Sequence, residues 1–222
     1  MRIGIIGSGR IGGGIARQLA TAGHEVLLSF SRDEAKLAAL AAEIGPKARV
    51  GSPAQAVEFG EIVVISVPWD EIPNALEQAG TLDGKVVIDT TNQFGGPPLP
   101  PAGETAAHFN ASRMPGARYT KSFNTLTSGF QATASRRVGD ERVVQWLCGD
   151  DREAKSTVAG LIEDAGFVPL DVGGTSSCAV MEAPRRDGAV YGEEYRLPDA
   201  KLVVDALRNG KPIPPTPKYA AS

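Results

Sequence analysis

The chain of 222 residues holds only two cysteines and two histidines, and aromatic residues make up 6% of it. Cys148 and Cys178 lack a CxxC spacing, which excludes the disulfide framework of a small secreted domain and a cysteine-built zinc site. Set among apolar neighbours, they read as buried, reduced thiols. His24 and His108 are too isolated to suggest a metal site, and His24, in the turn Ala22-Gly23-His24-Glu25, reads as structural. Neither sign of charge dominates: 23 Lys plus Arg stand against 26 Asp plus Glu, for a net charge of -3, with no long run of one sign. A nucleic-acid partner is therefore not expected. The longest apolar runs, such as Ile62 to Val67, are strand-sized, so no membrane span is expected either. The first strand opens at Arg2, which predicts no signal peptide and a cytoplasmic location.

What is present is ordinary globular composition, 42% apolar and 22% charged, in a length that suits one large α/β domain with a short appendage. Short β-branched runs alternate with helical stretches, the mark of successive βαβ units. Strands are predicted over 2–6, 25–30, 48–50, 61–67, 85–89, 119–123, 142–148 and 167–171. Helices are predicted over 11–21, 33–43, 53–59, 70–79, 104–112 and 152–165. The fold class is thus a doubly wound, mostly parallel sheet of the Rossmann type over residues 1–174, with a C-terminal extension over 175–222. The stretch GGPPLPPAG from Gly95 to Gly103 can be neither helix nor central strand, because its prolines lack donors, and it reads as a loop over a site. In the extension, Leu202, Val203, Ala206 and Leu207 fit one face of a short helix from about 199 to 208. That helix must pack on its own domain or on a twofold partner, since a lone helix of this length is marginal in water.

Gly7-Ser8-Gly9-Arg10-Ile11-Gly12 follows a strand and opens a helix, the context that makes GxGxxG a dinucleotide fingerprint. Gly7 permits the tight turn, Gly9 lets the backbone approach a pyrophosphate, and Gly12 lets helix and sheet pack closely. The free amides at the helix start would hold the diphosphate. Gly13 and Gly14 extend the run, which suggests close approach of cofactor or backbone there as well.

The cofactor's second phosphate is read at the end of the second strand. An acid that accepts from a ribose 2′-hydroxyl is expected about 20 residues beyond the motif. Ser31-Arg32 stands there instead, with Lys36 one turn on, and a guanidinium with an ammonium suits a 2′-phosphate. NADP is the expected cofactor. Two other readings stay open: Ser31 with Glu34 forms a capping box beside a solvated Arg32/Lys36 face, or Asp33 serves as the ribose acid.

GIIGSGRIG, GHEV, SRDEAK, SVPW at 66–69, KSFNTL at 121–126 and CGDDREAK at 148–155 together resemble the NADPH-dependent coenzyme F420 reductases. The reductase domain of the STEAP ferric reductases is similar to that family. The resemblance covers roughly residues 1–175 and implies NADP binding, a homodimer, and Val67, Pro68 and Trp69 on the nicotinamide side. After Gly174 the chain departs from the archaeal deazaflavin enzymes, being polar and charged where they are apolar.

Hydride transfer between ring cofactors needs binding and orientation more than a side-chain acid or base. No metal is expected and no catalytic residue is identified. Asn92, His108, Lys121 and Asn124 are the substrate-side candidates; Lys121 and Asn124 lie at a predicted strand end facing the switch-point crevice, and Asn92 follows the fifth strand with the same geometry. The function read from this is an NADPH-linked oxidoreductase acting on a small-molecule acceptor such as coenzyme F420 or a flavin. The alternatives are a non-catalytic NADP sensor or a reductase of small carbonyl or imine substrates.

Overall fold

The computed structural model describes residues 1–219. Eight strands form one sheet: β1 (Arg2–Ile6), β2 (Glu25–Ser29), β3 (Ala48–Val50), β4 (Ile62–Ile65), β5 (Val86–Asp89), β6 (Arg118–Ser122), β7 (Val144–Gly149) and β8 (Val168–Gly173). Their order is β3-β2-β1-β4-β5-β6-β7-β8, so the chain winds outward in one direction from β1, then returns to wind in the other from β4. The switch point between β1 and β4 is where such sheets bind ligands, at the carboxyl ends of the strands. All pairings are parallel except β6 with β7.

The helices are α1 (Arg10–Thr21), α2 (Glu34–Ile44), α3 (Pro53–Phe59), α4 (Ile72–Ala79), α5 (Ala106–Ser112), α6 (Ser128–Ala134), α7 (Arg152–Asp164) and α8 (Leu197–Arg208). They cover both faces of the sheet, which is why Ile62–Ile65 is buried at every position and shows no polar alternation. One apolar cluster gathers Ile3, Ile5, Ile15 and Leu19 with Phe123, Leu147 and Phe167. The other gathers Ile6, Val63, Ile65 and Trp146 with Tyr195 and Val203. None of the described helices is long and apolar enough to cross a membrane.

The sequence reading misses α6 and a 3-10 helix over Thr175–Met181. Both are short, and neither carries a helical apolar repeat. Residues 175–219 pack against the chain's own sheet: Met181, Val190, Tyr195, Val203 and Val204 are buried in the second cluster. Glu182 reaches back to accept from the Ala106 and Ala107 amides at the start of α5, at 3.0 and 2.7 Å. The thiol reading of the cysteines is corrected here. Both are fully buried as expected, but the 3-10 segment folds over β7, brings Cys178 to a Cα distance of 6.0 Å from Cys148, and the two are disulfide-bonded. Their distance in sequence concealed a contact made by the return of the extension.

Candidate functional site

Two adjoining hollows lie along the carboxyl ends of β1, β2, β4, β5 and β6, sharing Ser66, Val67 and Pro68 as a common wall. The narrower, about 340 Å³, runs from the glycine turn to Ser31 and Arg32. The wider, about 910 Å³, lies under the Pro-rich loop.

The glycine turn divides its labour residue by residue. Gly7 has φ +100°, which favours glycine, and a Cβ there would lie 2.4 Å from the Ser66 carbonyl oxygen. A Cβ on Gly12 would lie 2.1 Å from the Gly7 carbonyl oxygen, so this glycine serves the packing of α1 on the turn. At Gly9 a Cβ would meet nothing within 4 Å, and φ is an ordinary -73°. The fold itself has no need of glycine at that position; the open space beside it fits a phosphate brought close to the backbone. Helices α2, α3 and α7 are capped by the side chains of Asp33, Ser52 and Asp151, whereas α1, like α4 and α8, has no side-chain cap, its N-cap being Gly9. Its first amides, at the positive end of the helix dipole, fit an anion. Ser8 Oγ donates to the Ser29 carbonyl at 3.1 Å and ties the turn to β2. Gly13 packs against Leu40, at 3.2 Å from the position of a Cβ, and Gly14 faces open space.

At the far end of the narrow hollow, Arg32 has no ion-pair partner among the described residues. Ser31 Oγ accepts from the Asp33 amide at 3.1 Å. Asp33 is the N-cap of α2, accepting from the Lys36 amide at 3.1 Å, so the Ser31–Glu34 capping box does not form. Asp33 is thereby engaged as a cap, and the Lys36 and Ala35 amides, with the Lys36 ammonium, hold its carboxyl below the usual range. Lys36 itself is 84% exposed, 3.5 Å from Asp33, and does not line the hollow. Glu71, Asn74 and Gln78 of the segment through α4 form the opposite wall.

The wide hollow takes Arg10 and Ile11 from α1, so these two motif residues face it and not the narrow one. Trp69 Nε1 donates to the Pro98 carbonyl at 2.7 Å, anchoring the Pro-rich loop over the site. Phe94, Gly96 and Pro97 of that segment form its roof, and Arg185, Tyr191 and Gly192 of the extension close its far side. Burial pushes the Tyr191 phenol up from its ordinary value, so it stays protonated. Phe30 and Phe123 are the non-glycine residues with positive φ among those described, at 55° and 58°. One lines each hollow, directly after β2 and β6, where strained backbone tends to gather at ligand sites.

Residues 2–93 match the family described as NADP oxidoreductase, coenzyme F420-dependent. Rat metalloreductase STEAP3 is 30% identical over 182 residues, 82% of this chain and 36% of that protein. The chain thus spans about a third of the length of the curated relatives it matches. A hypothetical protein of Sinorhizobium meliloti superposes with a TM-score of 0.77 at 25% identity, covering 89% of this chain and 95% of the other. A putative F420-dependent NADP reductase from Arthrobacter superposes with a TM-score of 0.68 at 25% identity, covering 80% and 87%.

Of the substrate-side candidates, Asn92 and Asn124 line the wide hollow and bond to each other. Asn92 Nδ2 donates to the Asn124 carbonyl at 2.8 Å, and Asn124 Nδ2 donates to Asn92 Oδ1 at 3.0 Å. Lys121 does not face the crevice. Asp89 and Lys121 are register partners on β5 and β6, which puts their side chains on one face of the sheet. Both are fully buried, with Nζ 3.4 Å from Asp89 and donating to the Thr91 carbonyl at 2.6 Å. Burial would raise the Asp89 carboxyl, but the Lys121 ammonium and bonds from Tyr119 and Asn110 hold it below the ordinary range. His108 is outside the site too, its Nδ1 lying 3.3 Å from Thr175 Oγ1. Sequence reasoning missed Phe94, Thr125, Arg185 and Tyr191. A signal existed for Phe94, which abuts the proline run, and for Thr125, which follows Asn124 after β6; Arg185 and Tyr191 come into place only through the fold of the extension.

Proposed function

We propose that this chain is an NADPH-linked oxidoreductase, binding NADP along the narrow hollow and a small-molecule redox acceptor of the flavin or deazaflavin class in the wide one. The observation that carries the reading is the shared wall at Ser66–Pro68, which joins a cleft lined by the glycine turn, Ser31 and Arg32 to a second, larger cavity. The match of residues 2–93 to an NADP oxidoreductase family supports it. When bound, the nicotinamide supplies a hydride, and the chain's own task is to hold two rings in contact and keep water out. The α1 amides and Gly9 would hold the diphosphate. Ser31 and Arg32 would take the 2′-phosphate, with no acid free to accept a 2′-hydroxyl from that strand end. Val67 and Pro68 would back the nicotinamide, and Trp69 keeps the loop closed through Pro98. The homodimer is proposed alongside, on the resemblance.

The test is consumption of NADPH, followed at 340 nm, with oxidised F420, FMN or FAD added in turn, beside calorimetric titration with NADP+ and NAD+. Turnover with one ring acceptor and tighter NADP+ than NAD+ is the expected result. Binding of NADP+ with no turnover on any acceptor would favour a sensor, and no binding would end the reading.

A further inference from the structure

The loop between β5 and α5 is fixed at both ends and held in its middle at one point. At the first end the Thr91 amide donates to Asp89 Oδ1 at 2.7 Å, its carbonyl accepts from the buried Lys121 ammonium at 2.6 Å, and Asn110 Nδ2 donates to its hydroxyl at 3.2 Å. At the other end Thr105 caps α5, and its hydroxyl donates to the Thr175 carbonyl at 2.8 Å. Between these ends, residues 93–104 are joined to the rest of the described residues by one hydrogen bond, from Trp69 Nε1 to the Pro98 carbonyl at 2.7 Å. Their other bonds, of Gln93 with Gly95 and Gly96 and of Glu104 with Pro101, stay inside the segment. Yet this segment carries the roof of the wide hollow, and its Phe94 and Leu99 stand 71% and 62% exposed. Gly95 and Gly103 bracket it, with φ +96° and +86° and open space where a Cβ would lie. The prolines between them fix their own φ, so movement of the segment falls on its glycine ends.

The one bond is itself held from behind. Trp69 is buried, and the Arg113 guanidinium lies 5.8 Å from the centre of its ring and 5.1 Å from that of Phe109. Arg113 Nη1 donates to Asn110 Oδ1 at 3.1 Å, and Asn110 Nδ2 donates to Asp89 at 2.8 Å. The cation over the indole is thus tied to the same buried carboxylate that fixes the start of the loop. A guanidinium is attracted to the face of an indole ring, which keeps that ring in place. Arg113 lines neither hollow. We propose that residues 93–104 are a lid over the acceptor cavity, latched by Trp69 to Pro98, and that Arg113 is the positioning residue that aims the latch. An acceptor enters and leaves by breaking this bond, whereas the narrow hollow takes no wall from the loop and exchanges its ligand without it. The inference rests on the reading of the wide hollow as the acceptor site and adds to it a device that sets how long the acceptor stays.

The test uses the whole chain with its tryptophans labelled with 15N. The two tryptophans give two indole N–H resonances, assigned with Trp146→Phe. Relaxation dispersion at the Trp69 indole should show opening on the microsecond-to-millisecond scale of lids, while Trp146, buried in the core, stays flat. Arg113→Met should enlarge the open population roughly fivefold, as for a lost cation–π contact, and Arg113→Lys, which keeps a cation at that position, should fall between the two. Dissociation of oxidised FMN, the probe followed by stopped flow, should quicken by the same factor in Arg113→Met, with NADP+ affinity by calorimetry unchanged. A merely structural role would move neither the Trp69 profile nor the dissociation rate selectively. A flat Trp69 profile, a profile that both Arg113 variants leave as it was, or FMN dissociation that does not follow the profile would overturn the lid and leave the reductase reading standing. Failure to bind FMN or NADP+ would end the reductase reading instead, and the Trp69 profile in the two variants would still decide the lid.

Discussion

The two hollows share a wall but are built in different ways. The narrow one has its glycine turn, the start of α1 and the end of β2 within about thirty residues of sequence, as βαβ units do, and is closed by Ser66–Pro68 and by Glu71, Asn74 and Gln78. The wide one is assembled from side chains of α1, the Pro-rich loop, the turn after β6 and the extension beyond β8. A site made of local backbone geometry can serve any chain with the same turn. A site made of long-range side chains can change its ligand while the first site stays as it is. The departure of this sequence after Gly174 falls on the second site and leaves the first intact.

The largest expected effect separates the glycines. Gly9→Val should weaken NADP+ by roughly 100-fold or more with little change in Tm, because a Cβ there meets no protein atom and the side chain would stand where the phosphate must approach the backbone. Gly12→Ala should do the reverse, lowering stability by about 3 kcal/mol because its Cβ would meet the Gly7 carbonyl, which cannot yield. Titration calorimetry and thermal melts on both variants check the pair. Normal NADP+ affinity in Gly9→Val would remove the phosphate from the glycine turn.

Next in size is Arg32→Ala, expected to weaken NADP+ by about 1.5–3 kcal/mol, as for a lost charged hydrogen bond, with NAD+ affinity unchanged. An equal loss for both cofactors would show that Arg32 acts on the fold of the turn. Glu182→Gln then probes the other hollow. It weakens one of two acceptors at the start of α5, costs about 1–3 kcal/mol, and loosens the extension that carries Arg185 and Tyr191. The KM for the acceptor should rise several-fold while NADP+ affinity holds. A loss shared by both ligands would mean that the two hollows are not built independently.

The same division explains what was legible in the sequence. Strands β1 to β5 and helices α1 to α4 lie within two residues of where periodicity puts them, because each is a local amphipathic or buried run bounded by its own turn residues. Gly7, Gly9, Gly12, Ser31 and Arg32 were legible for the same reason. Lys121 was not, since its burial depends on Asp89 standing opposite on the neighbouring strand. The disulfide was not, since nothing local shows that the 3-10 segment folds back on β7. Tyr191 sits in a polar stretch with no periodicity, and only the packing of Val190 and Tyr195 around it, in the core cluster, places it at the cavity.

The smallest effect comes from a contact that touches neither hollow, and it serves as the control for the others. Arg118 on β6 donates to Asp151, the N-cap of α7, at 2.6 Å, and also reaches Glu153 at 3.0 Å. The Arg118 guanidinium, with the amides of Ala154 and Glu153, holds the Asp151 carboxyl well below the usual carboxylate range. A carboxyl whose pKa is depressed by folding contributes stability that is fully present above its unfolded value, near 3.8, and is lost as pH falls through that range toward the folded value. Arg118→Met removes one cause of the depression and leaves the amides. Because the pair is about one-third exposed, solvent screens it, and the drop in Tm at pH 7 should be within roughly 2 °C. The gap between wild type and variant should narrow as pH is lowered from 5 to 2 and shrink further in high salt. Affinities for NADP+ and for the acceptor should both be unchanged. If Arg118→Met weakened acceptor binding as much as Glu182→Gln does, effects on the wide hollow would follow general loosening of the sheet's far half, and the selective role given to the extension would fall.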